Sequence, residues 1–524
     1  MRREPLKTKA GQHQEIDDGK STIAPVKGWN ARDPDAAMKE GYAKYLENMV
    51  PTGTEVRLRS GVSSHATGFG AAVKALMAYQ SAAGVGKLFA ANNSGIFDAT
   101  SAGAIGATVM ALTDGWCSHI NFRTSSSSYL FVANGVDTVK TYDGTTWASV
   151  ASWSINGGGT LTSSDIINFC MHQRRLWLVK KDSADVYYFD VNAVAGNVTL
   201  FPLGGYMSKG GFIIAAYTWT LDGGAGPEDL IAFVTSEGQV IVYAGTDPAS
   251  TTGEWLLRGS YNMPAPLGRR CGYKLGGDLL LLTEGGVYSL SSIVSGKAVT
   301  QDLAMSDLIR PEMTAAARAY SGKRGWQLAG LLSQNILFVN VPTAEASASY
   351  QYGMNTTSRG WWKNVGWSAF CFEEFNSQLY AGFDTKVGKA LDGALDFVAN
   401  VTGYARGHYD YCGERTREKF WQLVRPLVKV TSGISLSIGL DVDFSSTLDF
   451  GGTTFGSFGA DFFDAGEWDE AVWGWDETPV LDWFTPGAKS GYCAAVRLRA
   501  VSNGGTFSWS VTDLVFERGA RVVG

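Results

Sequence analysis

The sequence predicts an all-β protein: a β-propeller of about six to eight blades, with an N-terminal arm and short helix before it and a C-terminal β-sandwich-like domain after it. Three observations predict this. Among 524 residues there are 64 glycines, aromatic residues reach 12% and charged residues only 18%, a balance that suits strands and tight turns better than long surface helices. Between about Leu88 and Gly393 one unit recurs: an apolar run, a Gly/Asn/Asp/Ser turn, and a second run ending in apolar or aromatic residues. Its apolar starts at Leu88, Leu130, Leu176, Leu230, Leu279, Ile336 and Leu379 lie about 42–57 residues apart, close to the period of a propeller blade. Near the C-terminus, the runs VRPLVKV, SLSIGLDVDF, AAVRLRAV and FSWSVTDLVFE alternate with period two between Gly and Ser clusters, as sandwich strands do.

Residues 1 to about 28 are polar and aperiodic, an arm that orders only when something supplies its other half. Asp33-Pro34 reads as a helix start, with Met38, Tyr42, Tyr45, Leu46 and Met49 on one helical face and Pro51 as the stop. Glu55–Arg59 alternates as a strand and Ser60-Gly61 turns the chain. These elements make up residues 1–80. Residues 81–400 form the propeller, in which Asn134-Gly135 and Gly285-Gly286 are hairpin turns. Leu279–Leu282, with no polar alternation, fits an inner strand covered on both faces. Loops such as 195–224 and 246–259 account for the uneven spacing. Unrelated hairpins stacked as sandwiches are the alternative arrangement. Residues 401–524 form the terminal sandwich. Trp468, Trp473, Trp475 and Trp483 crowd between its strands, as a core or intersubunit contact.

Charge and motif content bound the chemistry. Lys plus Arg is 44 against 50 Asp plus Glu, so no excess of positive charge marks a tight nucleic-acid binder. Six scattered cysteines without a CxxC pair point to buried thiols of a reducing cytosol rather than zinc or a disulfide framework. The N-terminus carries no signal-peptide apolar core, and no stretch approaches the roughly 18 apolar residues of a membrane span, so neither a cleaved signal nor stable membrane insertion is expected. The five histidines, His13, His65, His119, His172 and His408, form no ligand pair, and neither a G-x-S-x-G turn nor a phosphate loop is present. The carboxylates Asp441 and Asp443, and Glu467, Asp469 and Glu470 among the tryptophans, are the residues a glycosidase would draw on; strand-surface charges are the plainer explanation. Thr141–Trp147 looks like a shortened Asp-box and is read as a blade turn with a packing tryptophan. Arg269-Arg270, Arg415/Arg417/Lys419 and Arg497/Arg499 read either as phosphate contacts or as solvated sheet faces. The expectation is a non-enzyme without cofactor or metal.

Gly28-Trp29-Asn30-Ala31-Arg32-Asp33-Pro34, followed by Met38, Tyr42-Ala43, Leu46-Glu47-Asn48, Pro51 and Val56-Arg57-Leu58-Arg59-Ser60-Gly61, resembles the opening of the tail hub or nozzle proteins of short-tailed bacteriophages, the tail tubular B-like or DNA-stabilisation proteins of podoviruses. The run with Trp468-Asp469, Trp473 to Asp476, Gly491, Arg497 and Trp509 looks like that family's closing segment. The resemblance implies a structural virion protein in the phage tail, assembled in the host cytoplasm. It would form a homo-oligomeric ring, a hexamer, below the portal and its adaptor. The ring would retain and then conduct double-stranded DNA through non-specific contact, and would offer attachment surface to tail fibre, spike or needle proteins. Carried over to this chain, Trp29, Arg32, Tyr42, Glu47, Asn48, Arg57 and Arg59 belong to the element that docks on the adaptor, or else they pack the protein's own first domain. The alternative function is a propeller-fold glycan-binding or glycan-hydrolysing protein.

Overall fold

Strand-turn-strand units of the kind read from the sequence build seven small antiparallel sheets arranged in a ring. The structure, a computed structural model, describes residues 18–222, 227–250, 253–296, 299–445, 453–458, 478–480, 482–487 and 489–521. From the axis outward, blade 1 consists of Ala75–Gln80, Gly86–Asn92 and Gly95–Asp98, and blade 2 of Ser118–Arg123, Ser128–Ala133, Val139–Tyr142 and Trp147–Val150. Blade 3 is Ile166–His172, Arg175–Lys180, Asp185–Tyr188 and Thr199–Pro202. Blade 4 is Ile213–Asp222, Pro227–Thr235, Gln239–Gly245 and Trp255–Asn262. Blade 5 has three strands, Gly272–Leu275, Asp278–Thr283 and Gly286–Ser289. Blade 6 has four, Gln327–Leu331, Ile336–Ala344, Ala348–Asn355 and Trp361–Asn364. Blade 7 follows with Cys371–Phe375, Gln378–Gly382 and Lys386–Ala390, and its outermost strand, Val62–Thr67, comes from ahead of blade 1. Successive innermost strands lie side by side, and that of blade 7 touches that of blade 1, so the ring is closed.

The cores lie between blades. Met77 and Phe89 of blade 1 share a cluster with Leu130 and Val132 of blade 2, and Phe131 shares one with Phe169 and Leu178 of blade 3. Trp177 joins Phe233 and Tyr243 of blade 4, and Leu88 joins Tyr380 and Val387 of blade 7. Leu279–Leu282 are each no more than 1% exposed, as a strand covered on both faces requires. Full burial of one such side chain contributes about 1.5–3 kcal/mol, and here it does so only when the neighbouring blade is in place. Trp147 of the Thr141–Trp147 turn packs edge-on against Phe89 at 5.0 Å, and Asp143 ties the turn by accepting from the Thr145 and Thr146 amides at 2.8 and 2.7 Å.

Two stretches expected as loops contain blade strands: 195–224 holds Thr199–Pro202 and Ile213–Asp222, and 246–259 runs into Trp255–Asn262. The outer strands Thr199–Pro202 and Trp255–Asn262 are only half covered, so they lack an unbroken apolar run. Between blades 5 and 6 stand two helices, Leu290–Val294 and Arg310–Tyr320, the second with a proline in its first turn and Met313, Ala316 and Ala317 buried.

The expected N-terminal helix is a strand. Only Asp35–Ala37 forms a 3₁₀ turn; Gly41, at φ +88°, stops any continuation, and Tyr42–Glu47 pairs antiparallel with Ala399–Gly407. The apolar residues that fit a helical face serve a short strand instead, because a sheet partner supplies its backbone hydrogen bonds.

The four alternating C-terminal runs are strands as read: Arg417–Val430, Ile434–Val442, Ala494–Ser502 and Phe507–Arg521. They form two sheets, and N-terminal residues complete both. In one, Tyr42–Glu47, Ala399–Gly407, Ala494–Ser502, Ile434–Val442 and Thr453–Phe458 follow in order, with Gly28–Trp29 beside the first. In the other, Phe507–Arg521 is paired by Arg417–Val430, Asp18–Ile23 and Val56–Leu58, the last of which also carries Met49–Pro51. The expected 1–80 segment is thus divided. Its strands up to Leu58 belong to the C-terminal sandwich, whereas Val62–Thr67 and Ala75–Gln80 belong to the propeller.

His172 ends the innermost strand of blade 3, its ring nitrogens 3.0 Å from the Thr218 hydroxyl and 3.1 Å from the Gly245 carbonyl of blade 4. Burial lowers its pKa from the ordinary value. A histidine depressed in the folded state contributes stability that is present above its unfolded pKa of about 6.5 and is lost as the pH falls towards the folded value. Denaturant titrations at pH 7.5 and 5 should therefore show a smaller acid-side loss for His172→Gln than for the wild type; equal losses would contradict this.

Candidate functional site

The opening motif lies at the junction of sandwich and propeller. After the strand Tyr42–Glu47, Asn48 turns the chain at φ +54°, a conformation in which asparagine is favoured among non-glycine residues. Its backbone amide donates to Lys363 O at 2.8 Å and its side-chain amide to Thr402 O at 2.8 Å. Its side-chain oxygen accepts from the Val365 amide and from Nε of Arg59, both at 2.9 Å. Through its backbone and side chain together, Asn48 thereby holds the end of blade 6, the sandwich strand Ala399–Gly407 and the arginine eleven positions on.

The Arg59 side chain is 1% exposed and places all five of its N–H donors. Nε reaches Asn48; Nη1 donates to Ser60 O at 3.1 Å and Asp396 Oδ1 at 2.8 Å; Nη2 donates to Val365 O at 2.7 Å and Asp396 Oδ2 at 2.6 Å. The guanidinium also lies over the Trp367 ring at 4.7 Å, and the Trp367 indole N–H donates to the same Asp396 at 2.7 Å. Gly61 follows because nothing larger fits: a Cβ there would stand 1.9 Å from the Leu395 carbonyl oxygen.

The other motif residues sit around this knot. Trp29 is buried, its indole N–H donating to Lys44 O at 3.0 Å and its ring 5.9 Å from Tyr352. Asn30 and Asp33 bond each other at both ends of their turn, and Arg32 bridges Asp33 and Asp307, holding the Asp33 carboxyl below the usual range. Glu47 accepts from the Tyr45 phenol at 2.5 Å, and burial together with that carboxylate pushes the phenol upward. Tyr42 and Glu47 are half-buried, whereas Arg32 and Arg57 reach solvent, the Arg57 side chain 62% exposed and paired with Glu55.

Most of the remaining candidates are engaged within the fold. Asp441 is buried and 3.1 Å from Arg497. Asp443, outside the strand at φ +49°, accepts from the Tyr492 and Cys493 amides, so the two carboxylates do not share a strand face. Lys419 is fully buried and donates to the carbonyls of Glu414, Arg417 and Tyr492. Trp483 is exposed beneath Arg425, which lies 4.5 Å from its ring centre. Trp468, Trp473, Trp475, Glu467, Asp469, Glu470 and His13 lie outside the described residues. All six cysteines are free, and burial pushes the Cys117, Cys170, Cys371 and Cys412 thiols up to about 12.

Arg269-Arg270 has a different setting. It stands at the propeller axis, lining a pit of about 170 Å³ to which every innermost strand contributes: Leu76, His119, Asn168, Tyr217, Gly272, Gln327 and Glu373, one from each blade. Sequence reading singled out the arginines; it could not collect the other residues, which come from strands dispersed over about 300 positions of chain.

No protein-family profile and no curated protein matches this chain. Solved structures do align with it. The extracellular domain of a hybrid two component system from B. thetaiotaomicron does so at 12% identity and TM-score 0.37, over 79% of this chain and 47% of its own. The Pan2 WD40 domain of Neurospora crassa aligns at 8% identity and TM-score 0.32, over 58% of this chain and 86% of its own. An exo-β-1,3-galactanase from Phanerochaete chrysosporium aligns at 9% identity and TM-score 0.25, over 70% of this chain and 99% of its own. The chain spans less than half the length of the B. thetaiotaomicron extracellular domain.

Arg59→Ala leaves the Asp396 carboxylate without its cation in a nearly dry corner. It should cost about 3–5 kcal/mol, whereas Arg57→Ala on the surface should stay within about 0.5 kcal/mol. Arg59→Lys should not restore stability, since an ammonium cannot reproduce the planar fork. Denaturant midpoints of the three variants check both statements.

Proposed function

We propose that this chain is a structural virion protein, the ring-forming nozzle or hub subunit of a short-tailed bacteriophage tail. It joins the portal adaptor to the tail tip, retains and then conducts DNA, and gives tail fibres or spikes a surface to attach to. The observation that supports this reading is the meeting of the two chain ends that carry the family resemblance. Val56 and Arg57 of the opening motif pair with Trp509 and Ser508 of the strand Phe507–Arg521, in which Trp509 belongs to the closing run. Two matches some 450 residues apart in sequence thus fall within one folded unit.

In this reading the subunits close into a ring, a hexamer, against the adaptor. Trp29, Asn48 and Arg59 shape the docking element from inside, while the exposed Arg32 and Arg57, with half-buried Tyr42 and Glu47, face the partner. A wall of net acidic protein suits DNA transit, because each phosphate contact adds affinity and slows passage. The second reading, a glycan-binding or glycan-hydrolysing propeller, draws on the polar axial pit. Asp441 and Asp443 serve it poorly, since Oδ1 of Asp441 lies 3.1 Å from Arg497 and Oδ1 of Asp443 accepts from the Tyr492 and Cys493 amides.

Mass photometry and negative-stain imaging of the full chain, alone and mixed with a candidate adaptor ring, separate the two. Rings of about six subunits with a central hole are the expected result. A monomer in both samples that is retained on a glycan array would overturn it in favour of the second reading. Removing residues 1–17 keeps Asp18–Ile23 and should leave the thermal midpoint of the subunit unchanged.

A further inference from the structure

The axial pit contains a positive charge that the fold leaves unanswered. Arg270 spans the axis from the segment before blade 5: Nη2 donates to Lys74 O at 3.1 Å and to Cys117 O at 2.8 Å, and the guanidinium lies 5.7 Å from the centre of the Trp116 ring. These contacts fix the group in place. Its other terminal nitrogen, Nη1, is buried and has no hydrogen-bond partner. Arg269 beside it donates from Nη1 to Asn134 O at 3.1 Å. Among the described residues neither arginine has a carboxylate within ion-pair distance.

Most of the other polar groups of the pit are occupied. Gln327 donates to Phe372 O at 2.8 Å and accepts from the Phe372 amide at 3.0 Å. The Tyr217 phenol donates to Arg269 O and accepts from the Gly272 amide, both at 3.0 Å. Asn168 accepts from the Ala216 amide at 3.1 Å. Glu373, the one carboxylate lining the pit, stands 3.2 Å from the His119 ring nitrogen. What remains is the unpartnered Nη1 of a fixed guanidinium that lines a cavity of about 170 Å³, with a second arginine alongside. A buried charged donor without an acceptor is costly, and the oxygens of carboxylates and phosphates are the acceptors that suit a guanidinium N–H.

We propose that the axial pit binds a small oxyanion, a carboxylate or a phosphate, on Nη1 of Arg270 with Arg269 beside it. This site does not depend on virion assembly and would serve either functional reading.

The test is isothermal titration of the full-length chain with inorganic phosphate and, separately, with glucuronate, using glucose as the neutral control. Saturable binding of either anion at millimolar concentration or below is expected, with no response to glucose. A response to glucuronate alone assigns a carboxylate ligand, and one to phosphate alone a phosphoryl ligand. Arg270→Gln should weaken binding by about tenfold or more, the scale of a lost charge-assisted hydrogen bond, while Arg57→Gln leaves it unchanged. No saturation with either anion, or equal binding by wild type and a folded Arg270→Gln, overturns the proposal. Because Arg270 also ties blades 1 and 2, a crystal of the unmutated chain grown with selenate gives an independent reading. Anomalous density within hydrogen-bond distance of Nη1 supports the site, and selenate found only elsewhere, or not at all, rejects it.

Discussion

The Arg59 guanidinium is the point at which sandwich and propeller are fixed to each other. The chain leaves the sandwich at Leu58 and enters blade 7 at Val62, and between them Arg59 gathers acceptors from Asn48, Ser60, Val365 and Asp396. Five donors meet acceptors, the positive charge meets one carboxylate, and the flat face meets Trp367. A shorter or singly branched side chain could satisfy part of this list, but not both faces of the corner together. The close approach of Gly61 to Leu395 is the steric counterpart: the crossing is too tight for a side chain at the next turn.

From that junction the rest of the architecture follows as mutual support. No blade has a core of its own, since Trp177 of blade 3 is covered by blade 4 and Leu88 of blade 1 by blade 7. The sandwich is equally shared, because its strands come from both ends of the chain. Stability is therefore a property of contacts between units, and the ring holds its axis open only because every neighbour is present.

What the sequence made legible was the local part. Each hairpin brings together residues a few positions apart, and the turn residues mark it, so all seven matches correspond to one blade each. The outer strands Thr199–Pro202 and Trp255–Asn262 were hidden because one of their faces is in water and their patterning is weak. The helix Arg310–Tyr320 announced itself only by Pro311 and a run of alanines. Tyr42–Glu47 was misread because six residues are too few to tell period two from period 3.6. For the motif, the resemblance picked out Asn48 and Arg59, yet their partners Thr402 and Asp396 lie more than 300 positions away. Arg269-Arg270 stood out as a pair of like charges, but its position on the axis depends on seven strands that no short-range pattern brings together.

Closure of blade 7 by Val62–Thr67 has a consequence in time. A chain emerging from the ribosome presents that strand early, but its partner Lys386–Ala390 appears some 320 residues later, and Asp18–Ile23 must wait some 490 residues for Phe507–Arg521. Until then the nascent protein is an open arc of sheets with two unpaired edges, the state most exposed to wrong pairing. A chain released prematurely would have neither a closed ring nor a complete sandwich, since the last strands of both are paired by residues from the other end of the sequence.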